Sequence, residues 1–141
     1  MPKVLLPSLI AVFMVFGCLS ALAQQGTITD SLMVRIAELE IDSAYLEEYK
    51  AILAEEAAAS IKLEPGVITI LPMYQQENPS LIRILEIYAS QEAYQQHLQS
   101  PHFQKYKTST LDMVKSLKLV EMDAIDAATM PLMFRKLKET Q

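Results

Sequence analysis

From Met33 to Ile41 the chain alternates between apolar and polar positions, with Ala37, Leu39 and Ile41 on one side and Glu38 and Glu40 on the other. That period of two predicts a half-buried strand, β1 (33–41). The period then changes. Asp42 or Ser43 offers a helix cap, and Tyr45–Leu63 is rich in Ala, Leu, Glu and Lys without Pro or Gly. Leu46, Tyr49, Leu53, Ala57 and Ser60 recur there at helical spacing, which predicts a long helix, α1. Glu64-Pro65-Gly66 ends it, because proline disfavours the helical conformation before it and glycine permits a turn.

Val67–Tyr74 is apolar and β-branched and predicts β2; Pro72 cannot donate to a ladder, so that end belongs at an edge or a bulge. A polar loop, 75–80, containing Asn78-Pro79, leads into β3 (81–89). Ile82, Ile84, Glu86 and Tyr88 share one face of β3, and Arg83, Leu85 and Ile87 the other. One apolar face would suffice under helices, so a second chain could cover the other. Ser90 caps a short helix, α2, ending near Gln99, and Ser100 with Pro101 at the first helical position opens α3, extending to about Val114. Residues 117–126 predict β4. The order β-α-β-β-α-β, with its second crossover split in two, predicts a ferredoxin-like α+β domain over 33–126. The tail, 127–141, carries Pro131, then Leu132-Met133-Phe134 and a basic stretch, and is open between packing on a partner and fraying.

The start of the 141-residue chain changes the picture. Lys3, an apolar run over 4–22 and the small-x-small site Ala21-Leu22-Ala23 form the pattern of a secretory signal peptide, 1–23, followed by a linker, 24–32. An uncleaved anchor fits the same run, and Val15-Phe16-Gly17-Cys18 resembles a bacterial lipoprotein site with Cys18 as the lipidated residue. Each reading puts the folded part outside the cytoplasm, in the periplasm or secreted, with no membrane contact unless the start anchors it. Cys18 is the only cysteine, so a chain starting at Gln24 has no disulfide and no thiol chemistry. Its formal charge moves from −5 to −6 as one lysine is lost, and an acidic domain without a basic stripe is a poor nucleic-acid binder. A domain this small would gain from dimerisation.

Chemistry concentrates in residues 81–106, which hold both histidines and three of the six tyrosines. His97 shares a helix face with Ala93 and Tyr94. Glu86 is a charge on an otherwise apolar face, so it needs a partner if that face lies under the helices, and His97 is the expected one. His102 opens α3, where it could serve the site or belong to the cap. His97 and His102 do not have the i, i+4 spacing of a helical zinc pair; a site of Glu86, His97 and His102 is conceivable but has no support in the sequence, and no metal is expected.

Glu64-Pro65-Gly66 before β2, the Asn-Pro hairpin, Ile84-Leu85-Glu86-Ile87-Tyr88 and above all His97-Leu98-Gln99-Ser100-Pro101-His102-Phe103 resemble the antibiotic biosynthesis monooxygenase (ABM) family, in its quinol monooxygenase branch. The resemblance spans about 33–126. It implies a ferredoxin-like subunit that pairs sheet to sheet into a dimeric α+β barrel, with a small-molecule cavity between sheet and helices. It further implies oxidation of a small quinol or phenol by dioxygen with no cofactor. Haem-degrading relatives use an Asn on β1, a Trp at the end of β3 and a His on the following helix as iron ligand; β1 here has no Asn, and Tyr88 stands where the Trp would be, so the strongest part of a haem reading is missing.

Cofactor-free oxygenation needs a base for the phenolic proton and donors for the resulting anion. The resemblance points to His97 as that base, oriented by Glu86, with Tyr74, Tyr88, Tyr94, His102 and Tyr106 as substrate-binding candidates. A structural pairing for Glu86 and His97, and simple packing for each tyrosine, are the alternatives. A non-catalytic binding module, or an isomerase of a small carbonyl metabolite, could use the same cavity.

Overall fold

The computed structural model describes residues 32–140; the expected signal segment with Cys18 and most of the expected linker lie outside the described residues. Four strands, β1 (Met33–Ile41), β2 (Val67–Tyr74), β3 (Leu81–Tyr88) and β4 (Val114–Met122), form one antiparallel sheet in the order β2-β3-β1-β4. Three helices join them, α1 (Leu46–Leu63), α2 (Gln91–Gln99) and α3 (Pro101–Thr110), and α4 (Met130–Glu139) follows β4. This is the expected ferredoxin-like α+β arrangement. Among the described residues no helix is long and apolar enough to cross a membrane.

The caps explain the helix starts. Asp42 accepts from the Ala44 amide in the 3-10 turn that precedes α1. The Ser90 and Ser100 hydroxyls accept from the Ala93 and Phe103 amides, satisfying donors that have no partner within the helix. Because Ser100 both ends α2 and caps α3, the chain bends between His97 and His102. That bend matters for the site.

The core fills the space between α1 and the inner face of β1, β2 and β3. Ala37, Leu39, Tyr49, Leu53, Ile82 and Ile84 are among its members. Gly66 has no left-handed backbone; its role is space, since a Cβ there would lie 2.5 Å from the Cβ of Ala93. Its carbonyl accepts from the Ala89 amide at 2.8 Å, so the start of β2 sits tightly against the β3–α2 junction.

One expectation moves. β4 starts at Val114 and ends at Met122, because α3 stops at Thr110 and a 3-10 turn over Leu111–Met113 delivers Val114 opposite Ile41, where the register with β1 shifts. Pro72 lies on an edge strand, as expected; the irregularity of β2 falls elsewhere, between Val67 and Thr69. The tail forms α4, whose Leu132, Met133, Phe134 and Leu137 stay exposed. The outer face of the sheet is mixed: Val34, Ile36, Leu85 and Val120 lie towards one end, and the Glu38–Arg83 ion pair at 3.6 Å towards the other.

Candidate active site

A cavity of about 560 Å³ lies between the inner sheet face and the helices. Its floor is Arg35, Ala37 and Leu39 of β1, Ile84, Glu86 and Tyr88 of β3, and Leu117 and Leu119 of β4; its walls include Glu56, Tyr94, His97, Phe103 and Tyr106. Most of this lining is apolar. A volume of that order suits a small aromatic molecule.

His97 is 3% exposed and sits on the last turn of α2. Its ring packs between Phe103, with centroids 4.7 Å apart, and Tyr88 at 5.4 Å, which fixes its plane. Its Nδ1–H donates to Glu64 Oε1 at 2.9 Å, and Glu64 does not line the cavity. This leaves Nε2 on the side of Glu56, whose Oε1 is 3.7 Å away and which does line it. Burial opposes ionisation of Glu64, but hydrogen bonds from both imidazoles outweigh it and hold the carboxyl below the usual carboxylate range.

The expected pairing of Glu86 with His97 is not formed. Glu86 accepts instead from the Tyr88 hydroxyl at 2.9 Å, while Glu64 takes the position next to the imidazole. Side chains two apart on one face of a strand are close enough to bond, and that local contact satisfies Glu86 first. Burial raises the pKa of Glu86, against the hydrogen bond from Tyr88 and the charge of Arg35. The Tyr88 phenol is itself pushed well above its ordinary value, first by burial and then by the Glu86 charge.

The other candidates divide. Tyr88, Tyr94 and Tyr106 line the cavity, and the Tyr106 hydroxyl shares a 2.7 Å hydrogen bond with that of Tyr49. Burial pushes Tyr106 up to about 12, the Tyr49 bond opposing this. Tyr74 is not in the cavity: it is 55% exposed on edge strand β2, under the Lys50 ammonium at 4.3 Å. His102 is also outside it, with Nε2 at 2.5 Å from Glu64 Oε1.

Three groups of the site escaped the reading of the sequence. Arg35 is buried, stacks 4.3 Å over the Tyr94 ring, and its Nε donates to Glu121 at 2.8 Å. Its phase with Ala37 and Leu39 was the available signal. Glu56 is buried on the apolar stripe of α1, between Leu53 and Ser60, and accepts from the Ser60 hydroxyl at 2.7 Å. Burial holds its carboxyl above the ordinary range, against the Ser60 bond and the nearby imidazoles. Glu64 looked like part of a helix stop, and nothing local marks it as the partner of residues 33 and 38 positions further on.

A ferredoxin-like sheet with one deep cavity and a carboxylate-bound imidazole in its wall defines a small-molecule-binding α+β protein. Comparison with known proteins narrows the class. The profile for "Antibiotic biosynthesis monooxygenase" matches residues 32–109. A Bacteroides thetaiotaomicron structure described as a candidate antibiotic biosynthesis monooxygenase is 43% identical, with a TM-score of 0.70, over 71% of this chain and 95% of that one. The chain belongs to the antibiotic biosynthesis monooxygenase family. A candidate monooxygenase from Lactobacillus acidophilus is 29% identical (TM-score 0.64), covering 65% of this chain but 44% of that longer one. A Nitrosomonas europaea protein at 17% identity (TM-score 0.65), covering 69% of this chain and 93% of that one, shares the fold. No curated protein matches the chain.

Proposed function

We propose that this protein is a cofactor-independent monooxygenase that oxidises a small quinol or phenol with dioxygen. The observation that carries this reading is His97: a buried imidazole in the wall of a largely apolar cavity, with Nδ1 held by a carboxylate and Nε2 3.7 Å from Glu56, which lines the same cavity. A phenol entering over Leu117 and Leu119 would pack its ring on the apolar floor. His97 Nε2 takes the phenolic proton, and Glu64 stabilises the imidazolium through Nδ1. The Arg35 guanidinium provides positive charge on the cavity floor for the anion.

The phenolate is electron-rich and transfers one electron to dioxygen; radical recombination then forms a C–O bond. Loss of the ring proton and cleavage of the O–O bond leave a quinone and one water. One oxygen atom ends in the product and one in water, and the substrate supplies all four electrons. His97 returns its proton to the departing oxygen.

The reading extends to two further properties. The signal pattern of 1–23 supports work outside the cytoplasm. The apolar end of the outer sheet face supports a homodimer, which a monomeric sedimentation profile at micromolar concentration would overturn.

The direct test is oxygen uptake by the purified protein against a panel of quinols and catechols, with His97→Gln alongside. Uptake above autoxidation that falls about 10²- to 10⁴-fold in the variant is expected. No uptake across the panel, with ligands still raising the melting temperature, would replace this reading with the binding module.

A further inference from the structure

Behind the cavity wall the bend at Ser100 sets the rings of His97 and His102 at 6.4 Å between centroids, one on the last turn of α2 and the other on the first turn of α3. The Glu64 side chain, just past the end of α1, comes between them. One carboxylate oxygen is 2.9 Å from His97 Nδ1 and 2.5 Å from His102 Nε2, and the three donor atoms lie within 4.8 Å of one another. We propose that Glu64, His97 and His102 form a binding site for one divalent transition-metal ion of the zinc class.

Two imidazole nitrogens and one carboxylate oxygen are the donor set that zinc and its late first-row neighbours prefer. Around a tetrahedral ion with bonds of about 2.0–2.1 Å the donors stand roughly 3.3 Å apart, a spacing close to the one already present. The Glu64 oxygen now accepts hydrogen bonds from both rings, and one ion would take the place of both N–H groups, each ring's proton passing to its far nitrogen. The surroundings are arranged as outer ligands should be. The far nitrogen of His97 lies 3.7 Å from Glu56, which Ser60 holds in turn, so a carboxylate waits for the N–H that metal binding would leave there. The Glu64 and His102 side chains keep 15% and 16% of their surface exposed, which gives the ion an entry route and leaves room for water as a fourth ligand.

The site does not depend on the oxygenase reading, and the two states exclude each other: zinc on Nδ1 would put a proton on Nε2 and remove the base, so the oxygenase is the metal-free protein. Its test therefore measures binding alone. Zn²⁺ is titrated calorimetrically into the chelator-stripped protein, and Co²⁺ is followed by its visible absorption, for the native chain, His102→Ala and Glu64→Gln. One equivalent per chain is expected, with a Co²⁺ spectrum typical of four-coordination. Loss of a direct ligand should weaken binding at least as much as loss of an outer partner, about 10- to 100-fold. His102 is partly exposed, so its variant should keep the native circular dichroism; Glu64→Gln keeps the shape and loses only the charge. No saturable binding to the native protein, or unchanged affinity in whichever variant folds, would overturn the proposal.

Discussion

β1 and β4 are neighbours in the sheet and present the same face to the helices, yet they differ sharply. Ala37 and Leu39 are each 3% exposed, whereas their register partners Leu119 and Leu117 are 47% and 56% exposed. The residue types and the alternation are alike; what differs is the cover. α1 packs on β2 and α3, and α2 on β2, β3 and α3, so the helical layer sits over one side of the sheet and stops short of β4. The covered half is core, and the uncovered half is the mouth of the cavity. Alternation therefore tells which face an apolar side chain takes, while the helix connections decide whether it meets protein or ligand.

The largest expected effect breaks this comparison directly. Ile41→Ala should cost about 2–5 kcal/mol in urea unfolding, as truncation in a packed core does, since Ile41 is 1% exposed and lies outside the cavity. Leu119→Ala should cost less than about 0.5 kcal/mol and weaken ligand binding instead. Equal costs would mean that β4 is covered as β1 is. Gly66→Ala should follow at about 1–3 kcal/mol, since the new methyl would overlap the Ala93 side chain and push α2 away from the sheet. A cost near zero would show that this contact gives way freely.

The smallest effect concerns pH. The pKa of Glu86 is raised in the fold, so its contribution to stability is complete below the unfolded value of about 4.3 and is lost as pH rises through the folded value. Glu86→Gln keeps an acceptor for the Tyr88 hydroxyl and removes the titration. The melting temperature of the variant should therefore gain on that of the native chain between pH 4 and neutrality. A constant difference would place Glu86 in a more solvated setting than the cavity floor.

Much of the fold was legible because its punctuation is local. Caps at Asp42, Ser90 and Ser100, the stop at Glu64-Pro65-Gly66 and the alternation of β1 and β3 each lie within a few residues of what they control. The α3–β4 junction was misplaced where punctuation is missing: no Pro or Gly occurs between Pro101 and Pro131, and the end of α3 is set by pairing of Val114 with Ile41 across the sheet. The site divides in the same way. His97, Glu86, Tyr88, Tyr94 and Tyr106 could be found because they share faces predicted to point inward. The exchange of Glu64 for Glu86 beside His97 could not, because it depends on how the end of α1 meets the end of α2. No periodicity encodes that meeting.

The central claim is that the uncovered half of the sheet receives a phenol and that His97 holds its anion. A chromophoric phenol tests this without relying on oxygen chemistry. 4-Nitrophenol, titrated into the protein below the free phenol's pKa, should bind saturably and show the absorption of the phenolate, and in His97→Gln the bound species should revert to neutral phenol. Binding as neutral phenol in both proteins, or no saturable binding at all, would contradict the account.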